Sequence, residues 1–225
     1  MTHFLYSLDK KNFLFYELKM KKVLLKLLML STLYSSPNQV SNSIKGETLP
    51  KNEFIAGIPK NSLGYKVSDK SIPKTGYLTL REIREYLSEL YHPMEHIPKK
   101  YIEKITFKES NFNVFALNRK TKAGGLMQIL EPTWKEVNSH VLYEFGVFDP
   151  KENLKTGIKY LRNLSSTISK INPDWKNLTN DEKSYQILAA YNWGIGNLQK
   201  NNWNISKSPK ETKEYIKYIT GYEFS

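Results

Sequence analysis

The chain has 225 residues, 40% hydrophobic and 13% aromatic, enough to bury one core of ordinary domain size and to exclude a disordered protein. Its 34 Lys and Arg against 22 Asp and Glu leave a net charge of +12, which suits an anionic partner such as nucleic acid or the acidic polymers of a cell envelope. The lack of cysteine excludes a disulfide framework, a cysteine zinc site and a thiol nucleophile.

Residues 1–36 read as an N-terminal extension with a signal sequence. Met20-Lys21-Lys22 precedes the apolar run Val23 to Leu30, and Ser35-Ser36 supplies small residues for cleavage. Lys26 interrupts the run, which is shorter than the ~20 residues of a membrane span. Export is favoured over the competing reading, an amphipathic helix in a cytosolic protein. Either Met1 or Met20 serves as the start. Residues 37–78 are rich in Ser, Asn, Lys, Pro and Gly and read as a linker or arm.

Helical punctuation begins at Thr79, which forms a capping box with Glu82 ahead of the apolar stripe Leu80, Ile83, Leu87 and Leu90. Pro98 starts the next helix, in which Ile97, Tyr101 and Ile105 recur every four residues. The next position in that row is Glu109. Burial and the negative end of the helix dipole both disfavour its charged form, and both raise its pKa toward the value a general acid needs. The competing reading is a solvated Glu109 beside Lys108.

Gly124-Gly125 removes two side chains before Leu126-Met127-Gln128, so a backbone can approach a ligand there while Gln128 donates and accepts hydrogen bonds. Pro132 opens a short helix. Asp149-Pro150-Lys151-Glu152 opens a long one with Leu154, Ile158, Leu161, Leu164 and Ile168 on one face. Thr179 with Glu182 opens a third strong helix, which carries Tyr185, Leu188, Ala189, Ala190 and Tyr191 and ends at Gly194 or Gly196. Ser208 with Glu211 reads as a further capping box. Strand patterns are scarce, so the fold class is mostly α, with one helical domain over 79–225. His92 and His96 are four apart, but Pro93 breaks any helix between them and no metal site is expected.

Taken together, these residues resemble the catalytic domain of the soluble lytic transglycosylases, bacterial enzymes with a goose-type lysozyme-like fold. The likeness runs from about Leu80 to the C-terminus. Glu109-Ser110 with Phe112-Asn113 resembles the catalytic motif, and Ala116 falls on the family's alanine. Gly125-Leu126-Met127-Gln128-Ile129, with Pro132 and Thr133, is similar to the second motif. Phe148-Asp149-Pro150, the run Asn153 to Gly157 and Tyr160-Leu161 resemble the third. Ala189-Ala190-Tyr191-Asn192 with Gly194, then Glu211-Thr212 with Tyr215, complete the series. Three positions depart from it. The loop Asn118 to Ala123 is one residue longer and strongly basic, Leu130 replaces a common methionine, and Trp193 replaces a common alanine.

The resemblance implies a lytic transglycosylase that cleaves the bond between N-acetylmuramic acid and N-acetylglucosamine without water, leaving a 1,6-anhydro end. It implies Glu109 as the catalytic acid and base, with Gly125, Met127, Gln128, Tyr191, Asn192 and Glu211 binding substrate or orienting the acid. No cofactor is implied. The expected partner is the peptidoglycan strand in the periplasm or cell envelope, with an envelope or secretion assembly as a candidate and no nucleic acid. Two alternatives stay open: a hydrolytic muramidase on the same fold, and a non-catalytic basic envelope-binding protein.

Overall fold

Side-chain oxygens set three of the α-helix starts among the described residues. The computed structural model describes residues 54–55, 58–59 and 75–224, so the signal sequence and most of the arm lie outside the described residues. Thr79 and Glu82 close the expected box: the Glu82 N–H donates to Thr79 Oγ1 at 3.3 Å, and the Thr79 N–H donates to Glu82 Oε2 at 2.7 Å. The box starts α1 (Leu80–Leu90). Asp149 caps α5 (Pro150–Ile171) by accepting from the Glu152 N–H at 2.9 Å, and Thr179 with Glu182 boxes α6 (Asn180–Ala189).

Caps choose where a helix begins; packing holds it. Leu154, Ile158, Leu161, Leu164 and Ile168 of α5 are all buried. Five such side chains contribute on the order of 10 kcal/mol, against ~1 kcal/mol for the Asp149 cap. α1, α3 (Glu131–Val137) and α6 pack against α5, and α2 (Lys99–Ser110), the single turn α4 (Tyr143–Gly146), α7 (Ile195–Lys200) and α8 (Lys210–Thr220) complete the α-helices among the described residues. Buried residues of these helices, Ile102, Ile105, Trp134, Ile187 and Ile216 among them, form one core with Leu126 and Met127 of the segment ahead of α3. The architecture is mostly helical, as the sequence predicts.

The chain divides into two units, residues 1–69 and 70–225. In the first, β1 (Phe54–Ile55) and β2 (Ile58–Pro59) pair antiparallel, with Ile55 opposite Ile58. In the second, residues just ahead of Thr79 join the helical core. Leu78 is buried in the core, its N–H donates to Phe112 O at 3.0 Å, and Tyr77 bridges to Asn113.

Two expectations need correction. The box at Ser208 does not form: Pro209 is the cap residue of α8, Ser208 lies one position too early, and its buried Oγ has no partner among the described residues. The helix through Tyr191 is not continuous either. Residues Ala190–Gly194 form a π-helical turn between α6 and α7, closed by Gly194 at φ 96°, and Gly196 lies within α7.

Candidate active site

The buried row of α2 delivers a carboxylate to the end of that helix. Tyr101 and Ile105 are buried, and one turn later Glu109 emerges half-buried as the last residue but one. Behind it Asn111 and Phe112 are both left-handed, at φ 52° and 61°. An aromatic residue there is strained. The strained turn is held by the Phe112 carbonyl accepting from Leu78 and by the Asn113 N–H donating to Ser110 O at 3.0 Å.

Tyr215 supplies the partner of the acid. Its hydroxyl donates to Glu109 Oε1 at 2.8 Å, linking α8 to α2 across 106 positions of chain. The Glu109 carboxyl is pushed up to about 7. Burial is the largest cause. The Tyr215 hydrogen bond opposes it, the negative charge of Glu211 raises it further, and Lys108 lowers it. A carboxyl poised near neutrality can both give and take a proton. Burial enters as the sequence predicts, whereas the Glu211 contribution needs the fold. Glu211 itself sits exposed in the first turn of α8 with no capping bond.

Tyr215 is 2% exposed, and burial with the adjacent Glu109 charge pushes its phenol well above the ordinary range, so it stays protonated and donates. Sequence reading placed Tyr215 in a motif but not among the site residues. A signal was present: Thr212, Tyr215, Ile216 and Ile219 form the buried stripe of α8, and a phenol in such a stripe requires a partner.

Tyr191 plays a different part from the one expected of an acid-orienting group. Its hydroxyl donates to the Met127 carbonyl at 2.7 Å, and its ring tilts against Tyr160 with centroids 5.5 Å apart. Burial and the Glu109 charge push its phenol well up, so Tyr191 lies within electrostatic reach of the acid while its proton is committed elsewhere. Asn192, the next residue of the π turn, accepts from Thr212 Oγ1 at 2.8 Å. That bond ties the turn to α8 beside Tyr215.

The Gly-Gly segment is a small ribbon in which Gly124 bridges to Leu117 and to Ile129. Gly125 is left-handed at φ 76°, and a Cβ there would lie 2.1 Å from Val147 O and 2.2 Å from Asn153 Nδ2. The close approach it permits is to the Val147 carbonyl and the Asn153 side chain. Asn153, fully buried on α5, accepts from the Met127 N–H at 2.8 Å and donates to Gly124 O at 3.1 Å and Val147 O at 2.8 Å. Met127 is wholly buried, with its sulfur packed where a Cβ on Gly157 would sit. Its side chain offers nothing to a ligand. Gln128, left-handed at φ 47°, donates from Nε2 to Ala116 O at 3.1 Å and Gly125 O at 3.0 Å, so its donors brace the ribbon.

Tyr215 is thus joined to Glu109 by a hydrogen bond and Tyr191 by charge, while Tyr191 holds the ribbon and Asn192 is tied to Thr212 of α8. Among the described residues, no group of three His, Cys, Asp or Glu is placed to hold a metal ion, and no helix is long and apolar enough to cross a membrane.

Comparison with curated proteins finds no match. A model of the transglycosylase SLT domain matches residues 87–216, from the middle of α1 into α8. Domains of that kind are lytic transglycosylases of lysozyme-like fold with peptidoglycan as substrate, which implies an exported or envelope location. With more than half of its 225 residues and every candidate site residue inside the match, the chain belongs to the family of transglycosylase SLT domains.

Proposed function

We propose that this protein cleaves the β-1,4 bond between N-acetylmuramic acid and N-acetylglucosamine in peptidoglycan without consuming water, leaving 1,6-anhydro ends. The observation that carries the reading is one carboxyl, Glu109, held near neutrality by burial and hydrogen-bonded by Tyr215. Protonated Glu109 gives its proton to the glycosidic oxygen as the C1–O bond breaks, and the substrate's own acetamido oxygen bonds to C1. The Glu109 carboxylate then takes the proton of the 6-hydroxyl of the same muramyl residue. That oxygen displaces the acetamido oxygen at C1, and Glu109 ends protonated as it began. One residue serves both steps, and a carboxyl near 7 balances them.

Tyr215 orients Glu109 and supports its charged form between the steps. Tyr191 holds the Met127 carbonyl, so it positions the ribbon beside the acid, and Gly125 and Met127 act through that ribbon. Gln128 presents its amide oxygen to a sugar hydroxyl or acetamide. Asn192 holds the π turn against α8, and Glu211 tunes Glu109 through its charge.

A hydrolytic muramidase is the second reading, and one observation favours it: the Glu211 charge acts on Glu109, and inverting glycosidases use a second carboxylate to activate water. Mass spectrometry of soluble products decides between them. Anhydro-muropeptides support the lytic reaction, whereas products heavier by the mass of one water establish hydrolysis.

A further inference from the structure

The basic loop noted in the sequence folds as a rigid turn at the tip of the Gly-Gly ribbon. Asn118 Oδ1 accepts from the N–H groups of Lys120 and Thr121, both at 3.0 Å. The Lys122 N–H donates to Asn118 O at 2.8 Å, and the Asn118 N–H donates to Ala123 O at 2.9 Å. Lys122 is left-handed at φ 65°, and its carbonyl accepts from the Tyr143 hydroxyl at 2.7 Å. Six residues are therefore fixed largely by their own backbone and one asparagine. The side chains of Arg119, Lys120 and Lys122 have no part in holding the turn, and all three residues are exposed.

Their charges are unspent. Elsewhere on this unit Lys135 pairs with Glu131, Lys151 with Glu89, Lys210 with Glu214 and Lys217 with Glu223. No carboxylate among the described residues pairs with Arg119, Lys120 or Lys122. Three like charges on a six-residue turn repel one another, and an anion from outside relieves that repulsion.

The turn is also tied to the site. It begins directly beyond the Leu117–Gly124 pair, and the Gly125 N–H and Gln128 Nε2 both donate to Ala116 O. The turn thus caps the ribbon whose other end carries the Met127 carbonyl held by Tyr191.

We propose that Arg119, Lys120 and Lys122 form a cationic subsite that holds the free carboxylates of the peptide stems on the glycan strand cleaved at Glu109. This rests on the lytic reading above. A peptide-bearing strand has its lactyl groups blocked as amides, so its negative charge lies on the stems. The turn selects strands by their peptide charge while Glu109 carries out the cleavage.

The test compares two substrates, purified peptidoglycan freed of accessory polymers and the same material with its peptide carboxyls converted to amides. At low ionic strength the parent protein releases product about tenfold faster from the unmodified material, and the advantage fades in 0.5 M salt, as expected for exposed charges. The triple variant R119Q/K120Q/K122Q falls on unmodified material to the rate the parent shows on the amidated one. The charge-conserving R119K/K120R/K122R keeps the advantage. Thermal melting shows that both variants fold, since the Asn118 contacts are untouched. A parent active on both substrates at equal rates overturns the subsite alone. So does a glutamine variant as fast as the parent on unmodified material, or a preference that returns only when phosphate polymers are left on the wall. A parent that releases nothing from either substrate overturns the subsite together with the reading beneath it.

Discussion

The Glu109 carboxyl stands between groups that pull it in opposite directions, which makes its surroundings separable by experiment. Tyr215 donates to the charged form and lowers its pKa, while the Glu211 charge raises it. In the proposed reaction cleavage begins with protonated Glu109, so kcat/KM falls as pH rises through its pKa. Tyr215→Phe therefore moves the basic limb to higher pH, and Glu211→Gln moves it to lower pH. Shifts in the same direction would contradict this assignment. The same carboxyl carries a stability signature. Its folded pKa of about 7 lies above its ordinary value of 4.5, so between those values the native state keeps a proton that the unfolded chain has lost. Stability then falls as pH rises through that window and stays lowered above it. Glu109→Gln removes the penalty, which is on the order of 1–3 kcal/mol. The variant should melt higher than the parent at pH 8 and with it at pH 4. An equal difference at both would show that Glu109 ionises freely in the fold.

Among the elements, the ribbon and the π turn hold the acid's neighbours in place, and two glycines separate backbone constraint from side-chain packing. At Gly125 a methyl group meets a carbonyl oxygen and a buried amide while φ stays positive, so Gly125→Ala should cost about 3 kcal/mol or more. At Gly157 the obstacle is chiefly the Met127 sulfur, which can move, and Gly157→Ala should cost roughly 1–3 kcal/mol. Urea unfolding measures both, and the reverse ranking would show that the ribbon is not pinned as described. Much of this scale was legible in the sequence where the cause is local. The boxes at Thr79 and Thr179 are set by residues three apart, and the four-residue row of α2 leads to Glu109. The rest depends on distant partners. Tyr215 meets Glu109 across 106 positions, so no local period reveals it. Apolar spacing in Ala189, Ala190 and Tyr191 cannot distinguish an α turn from the π turn that is present. Nor could the second motif reveal that Met127 points inward, because that direction is set by Gly157 on α5. The box at Ser208 failed for a local reason, a helix start displaced by one residue.

At the scale of the whole molecule, helices from both ends of the family match meet at one carboxyl: α2 brings Glu109, and α8 brings Tyr215 and Glu211. A net charge of +12 suits the anionic wall on which such domains act, and its exposed part weakens with salt. In the proposed reaction Glu109 is both proton donor and proton acceptor to a muramyl residue whose own 6-hydroxyl closes on C1. The most direct test is mass spectrometry of the soluble products formed from purified peptidoglycan by the parent protein and by Glu109→Gln. The expected result is 1,6-anhydro-muropeptides from the parent, with release reduced at least about 100-fold in the variant. Reducing-end products from the parent, or undiminished release by Glu109→Gln, would contradict it.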